Sequence, residues 1–191
     1  MKSTRFIPIA ALAFAVACSD TATSPTSVGR PLFAVAPGAF SDPNALSTNT
    51  PSGGHLQTGT IQCVVNEALS ITCSSYEVSG IGNANAEATL SLTFEATVDC
   101  TNKGGKLVPV KASTQTAPIS TGEIEPKNGR LEVPALISGA APSDASFTAA
   151  ATCPNGNWTK SVRDGTTEIT GFLYELTFDG FTDPAVTIAG S

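Results

Sequence analysis

Histidine is nearly missing from this chain: His55 is the only one in 191 residues. It sits beside Gly53-Gly54 in a polar stretch, which leaves no base for a His-based triad in a folded core and no partner for a Cys/His zinc site. Charge is also scarce, at 14% of residues, and what there is leans acidic: 16 Asp and Glu against 10 Lys and Arg, net −6. An acidic chain repels phosphate backbones, so nucleic acid is not expected as a partner. Nor does it gain electrostatic attraction to an anionic membrane, so any membrane attachment must be covalent or hydrophobic. No nucleophile elbow, phosphate loop or zincin helix motif occurs. The most sustained apolar run, Phe6–Ala17, covers about a dozen residues, whereas a spanning helix needs ~20.

Turn formers, by contrast, are plentiful. Seventeen glycines and thirteen prolines argue for many short elements and against long helices. The clearest element is Ala86–Thr101, AEATLSLTFEATVDCT. Its even positions are Leu90, Leu92, Phe94, Ala96, Val98 and Cys100, and its odd positions are Thr89, Ser91, Thr93, Glu95, Thr97 and Asp99. That alternation predicts a strand with one face in a core and one in water. Before it, Thr60–Val65 and Leu69–Ser74 form an expected hairpin, with Cys63 opposite Cys73 and Val65 opposite Ile71. A short strand follows at Tyr76–Gly80.

After the central strand, Asn102–Gly105 turns into Lys106–Ser113, which Pro109 marks as an edge or a bulge. Gln115–Glu125 reads as the next strand. Asn128-Gly129 is a strong hairpin signal, with Arg130–Leu136 returning. In Ala145–Cys153 the alternation puts Ala145, Phe147, Ala149, Ala151 and Cys153 on one expected strand face. Trp158–Val162 extends next. Thr167–Phe178 is a second long strand, with a bulge expected near Gly171 because Ile169 is out of phase with Phe172, Tyr174, Leu176 and Phe178. Val186 and Ile188 close the domain. Short strands with turns about every ten residues predict an all-β fold, an antiparallel two-sheet sandwich over residues 60–191. At the level of architecture this resembles the immunoglobulin-like sandwiches. It departs from them in lacking a Cys…Trp…Cys spacing, since Trp158 follows every cysteine.

There are five cysteines, an odd number. Setting Cys18 aside leaves four. Hairpin register pairs Cys63 with Cys73, and shared inward phase pairs Cys100 with Cys153. Closely spaced metal-ligand pairs are absent, so no metal or cofactor is expected.

The N-terminus carries Lys2 and Arg5, the apolar run, then Ala15-Val16-Ala17-Cys18. This resembles the lipobox of bacterial lipoproteins, with Ala15 where that family usually has Leu. The resemblance implies a signal peptide over 1–17 and acyl chains on Cys18. It further implies an envelope anchor, with an outer membrane favoured where one exists because Ser19 rather than Asp follows the cysteine. Loss of Lys2 and Arg5 would leave eight basic against sixteen acidic side chains, net −8. Simple cleavage after Ala17 also satisfies the small-x-small rule and would leave Cys18 as a terminal thiol. Residues 18–59, rich in Ser, Thr, Pro, Gly and Asn, are expected to be a tether containing the apolar island Leu32–Ala36.

Candidate chemistry is thin. Glu123 and Glu125 share a strand face ~7 Å apart, inside the ~6.5–9.5 Å separation of inverting glycosidases; the same spacing also arises on any solvated strand face. Glu175, Asp179 and Asp183 form an acidic group with too few oxygens for calcium alone. Trp158, Tyr76 and Phe181 are candidates for an aromatic platform that would hold a sugar or a protein partner. These observations lead to the expectation of a non-catalytic, membrane-anchored module with a protein or glycan ligand. A glycan hydrolase and a calcium-dependent adhesin are the alternatives.

Overall fold

The computed structural model describes residues 35–42, 45–46 and 48–191. The chain divides into two units, Met1–Arg30 and Pro31–Ser191, and all described residues belong to the second. The expected signal peptide (residues 1–17), Cys18 and the expected tether as far as residue 34, with Leu32, Phe33 and Ala34 of the apolar island, lie outside the described residues.

One layer is built on the expected strand. In order along the chain, its elements are β6 (Ala86–Thr101), β7 (Leu107–Gln115), β8 (Ile119–Ile124), β11 (Thr159–Val162), β12 (Glu168–Phe178) and β13 (Val186–Gly190). β6 alternates buried and half-exposed residues from Leu90 to Thr101, as its sequence dictates. It is long enough to take two partners on each edge. β12 and then β11 lie along one side, β8 and then β7 along the other, and β13 flanks β12. Where one partner hands over to the next, threonine hydroxyls stand in for missing backbone acceptors. Leu92 N donates to Thr116 Oγ1 and Thr97 N to Thr166 Oγ1, and at the register shift within the β8 pairing Ala88 N donates to Thr121 Oγ1. Among the described residues β7 pairs with β6 alone, so Pro109 falls on an edge strand as expected.

The second layer contains β1 (Gly38–Ser41), β2 (His55–Gly59), β3 (Gln62–Asn66), β4 (Ser70–Cys73), β5 (Tyr76–Ser79), β9 (Arg130–Val133) and β10 (Leu136–Ile137). It divides into two sheets, β1-β3-β4-β10 and β2-β5-β9, that are consecutive stretches of the same strands. Val133 lies opposite Tyr76, and three residues on from Val133 and three back from Tyr76, Leu136 lies opposite Cys73. The ladder lapses at Pro134, which has no N–H to give, and at the Ser74-Ser75 step. Cys63 pairs with Cys73 and Val65 with Ile71, the register the sequence predicts. The bulge in β12 also falls where Ile169 loses phase, between Ile169 and Gly171.

The core lies between the layers and is filled by Phe94, Leu90, Leu92, Ile71, Val78, Leu131, Phe172, Tyr174, Leu176 and Phe178, each at most 5% exposed. The chain's two tyrosines meet there, Tyr76 Oη 3.0 Å from Tyr174 Oη. This is an all-β antiparallel sandwich. Its disulfides, Cys63–Cys73 and Cys100–Cys153, match the expected pairing.

Four expectations are corrected. Ala145–Cys153 is not a strand: Asp144–Ala150 is a helix, α1, packed on β6, β7 and β11. Phe147 and Ala151 are buried one helical turn apart. Lys160 Nζ holds the helix's last carbonyls, 2.9 Å from Thr148 O and 2.6 Å from Ala151 O. Second, Gln115 belongs to β7, and the next strand, β8, spans Ile119–Ile124 rather than Gln115–Glu125. Third, the Asn-Gly turn does not fold β9 back on β8, because β9 crosses to β5 in the other layer. Fourth, the stretch expected to be tether contributes structure. Val35 is 5% exposed, with its N–H on Ile169 O at 2.9 Å. β1 pairs with β3, and β2, which contains His55, pairs with β5. Phe40 of β1 packs edge-on against Phe172, with ring centroids 5.2 Å apart.

Candidate functional site

The outward face of β2-β5-β9 brings charged side chains side by side. Register sets two rows across it. Thr58, Glu77 and Glu132 lie side by side in one row, and His55, Ser79 and Arg130 in the next. Alternation along β5 forces this, since Tyr76 and Val78 point into the core and Glu77 and Ser79 therefore point out. The turn Lys127–Arg130 stands over one end. Asn128 at φ +55° and Gly129 at φ +75° are left-handed, as a type I′ turn requires. Gly129 O accepts from Gly80 N at 3.0 Å, which docks the turn at the end of β5.

Two open clefts meet on this face. One, of about 310 Å³, is lined by Glu77, Ile124, Glu125, Lys127, Arg130 and Glu132. The other, of about 290 Å³, is lined by Thr58, Gly59, Ser75, Tyr76, Glu77 and Glu132. Glu77 and Glu132 border both. They are like charges in directly opposed positions, an arrangement that costs energy unless a cation sits with them. Arg130 Nη1 comes within 3.5 Å of Glu77 Oε1, an ion-pair contact beyond hydrogen-bond length. His55 is tied to the backbone before β2. Its Nδ1 is 2.9 Å from Gly53 O, and a carbonyl only accepts, so Nδ1 is the donor there.

The other candidate residues separate. Glu125 lies beyond the end of β8 and lines the first cleft, whereas Glu123 pairs with Glu87 in the ladder and accepts a hydrogen bond from Asn85 Nδ2. Glu175, Asp179 and Asp183 do not form a cage: among the described residues no group of three His, Cys, Asp or Glu is placed to hold a metal ion. Tyr76 is in the core, at 4% exposure. Trp158 precedes β11 at the Thr101 end of β6, and Phe181 follows β12 at the Ala86 end, so no aromatic platform forms.

The sequence reads His55 as part of a tether and gives no sign of Thr58, because a strand exposed along its whole length carries no apolar period. Glu77 was accessible through the alternation of Tyr76 and Val78. The two disulfides mark an oxidising, extracytoplasmic setting. Among the described residues no helix is long and apolar enough to cross a membrane. No family model matches the chain, and no curated protein or solved structure matches it either.

Proposed function

We propose that this chain is an exported lipoprotein, held to the envelope by acyl chains on Cys18, with a sandwich that serves as a binding module. The observation that carries the reading is the use of the cysteines. All four in the sandwich are consumed by two disulfides, which leaves Cys18, next to the signal-like run, as the fifth. A thioether lipid is the chemistry that the surrounding Ala15-Val16-Ala17-Cys18 implies. Two or more acyl chains give stable anchoring at roughly 0.8 kcal/mol per buried methylene.

A binding role rather than catalysis is supported by the outward face of β2-β5-β9. Glu123 and Glu125, the carboxylate pair that a glycan hydrolase would need, do not line one cleft. The test is incorporation of an alkyne-labelled fatty acid during expression in a bacterial host. The wild type is expected to be labelled and to stay with the membrane fraction, with outer-membrane fractions favoured. Cys18→Ala is expected to be unlabelled. Equal labelling of the variant, or none of the wild type, would count against the anchor.

A further inference from the structure

Asparagine followed by glycine occurs twice in the chain, at Asn128-Gly129 and at Asn155-Gly156. The dipeptide is chemically labile. Glycine has no Cβ to shield its amide nitrogen, which can close on the asparagine Cγ as a five-membered imide. Closure needs rotation about the asparagine Cα–C bond, one of the two soft backbone torsions. The hydrogen bonds around each site therefore decide whether the ring forms, and the two sites differ in them.

Asn128 is locked. It stands at φ +55° in a tight turn closed on both sides, with Lys127 N on Arg130 O at 2.7 Å and Arg130 N on Lys127 O at 3.1 Å. Gly129 O also accepts from Gly80 N at 3.0 Å. Swinging the peptide between Asn128 and Gly129 would break these bonds. Asn155 is not held in this way. Asn155, Gly156 and Asn157 are all exposed, on the connection between Cys153 and β11. Among the described residues no backbone–backbone hydrogen bond involves Asn155 or Gly156. The one bond there is from Asn157 N to Asn155 Oδ1, at 3.2 Å. It spans Gly156, folds the carboxamide back along the chain and draws electron density away from Cγ, the carbon under attack.

We propose that Asn155 is a site of spontaneous deamidation in the folded protein and that the fold protects Asn128. Hydroxide takes the proton from Gly156 N, and that nitrogen attacks Asn155 Cγ. The bond from Cγ to the side-chain nitrogen breaks, and ammonia leaves with a proton taken from water. One water then opens the succinimide, to aspartate if it breaks the new Cγ–N bond and to isoaspartate if it breaks the backbone C–N bond. In sum, an amide and water become a carboxylate and ammonium. The product adds a negative charge to a chain that is already acidic, two residues from the Cys100–Cys153 disulfide.

The test is incubation of the folded full chain at mildly alkaline pH, followed by peptide mapping with mass spectrometry and an enzymatic assay for isoaspartate. The peptide holding Asn155 is expected to gain the mass difference between a hydroxyl and an amino group, faster as hydroxide rises. Asn128 is expected to convert at least tenfold more slowly. In concentrated urea the two rates should converge, because the turn that guards Asn128 is gone. A Cβ at Gly156 would meet nothing within 4 Å, so Gly156→Ala should leave the melting temperature unchanged while slowing conversion at least tenfold. An intact Asn155, native rates that are equal or reversed, or a gap that persists in urea would overturn the proposal.

Discussion

Tyr76 and Tyr174 meet hydroxyl to hydroxyl at 3.0 Å across the sandwich, one from each layer. Removing one hydroxyl orphans the other in the core, at a cost of ~1–3 kcal/mol, whereas removing both can be nearly neutral. Tyr76→Phe and Tyr174→Phe should each destabilise, and the double variant should recover most of the loss in urea melts. Two additive losses would mean that the contact is not a hydrogen bond.

The same pair predicts an alkaline limit. Burial pushes both phenols up, Tyr76 well above the usual 10.0, reinforced by Tyr174. Above about pH 10 the unfolded chain releases phenolic protons that the folded chain retains, so stability is full below that pH and falls above it. Lys111, also raised, chiefly by its hydrogen bond to Glu95, contributes in the same direction as pH passes its folded value. Urea midpoints measured from pH 8 to 11 should drop, and the double Phe variant should drop less.

Glu168 sits opposite Glu95 across the β6–β12 ladder, and Lys111 Nζ reaches both, at 3.2 and 2.7 Å. Lys111 is half exposed, but Glu168 has only 6% of its side chain exposed. Lys111→Met therefore costs more than the ~0.2–1 kcal/mol of an exposed ion pair, because it strands a buried carboxylate. Glu168→Gln in the same background should restore much of the loss. A Lys111→Met protein that melts like the wild type would refute this.

The disulfides close loops of 10 and 53 residues. Chain entropy assigns them about 3 and about 4 kcal/mol. Paired Cys→Ala replacement at Cys100 and Cys153 should thus cost more than at Cys63 and Cys73, read as denaturant midpoints. The reverse order would show that the short cross-strand link matters beyond its loop.

Gly190 faces the Phe40–Phe172 contact. A Cβ there would collide with the Phe172 ring and come within 3.2 Å of Phe40. Gly190→Ala is expected to cost ~1–3 kcal/mol by overpacking, and to raise amide exchange in β1 more than in β6.

The parts of the fold that were legible in the sequence are those where one period prevails. β6 emerges from alternation alone, and Cys63 opposite Cys73 from the hairpin around it. Residues 144–150 were misread because alanine fits either period. Ala145, Phe147, Ala149 and Ala151 alternate, yet Phe147 and Ala151 also stand one helical turn apart. Ser143 at the N-cap and Asp144 in the first turn were the helical signal. The Asn-Gly turn has the expected backbone, but a local turn does not decide which layer β9 joins. β1 and β2 were hidden in polar sequence because their partners, β3 and β5, are what make them strands. The candidate site was only partly legible for the same reason: Glu77 alternates with core residues, while Glu132 and Arg130 reach it only through long-range register.

The most direct test of the account is the intact mass of the protein from its native membrane fraction, with and without reduction and alkylation. The account predicts a chain beginning at Cys18 and carrying acyl mass, with four further thiols that appear only after reduction. A chain beginning at Cys18 without lipid, or thiols that alkylate before reduction, would contradict it.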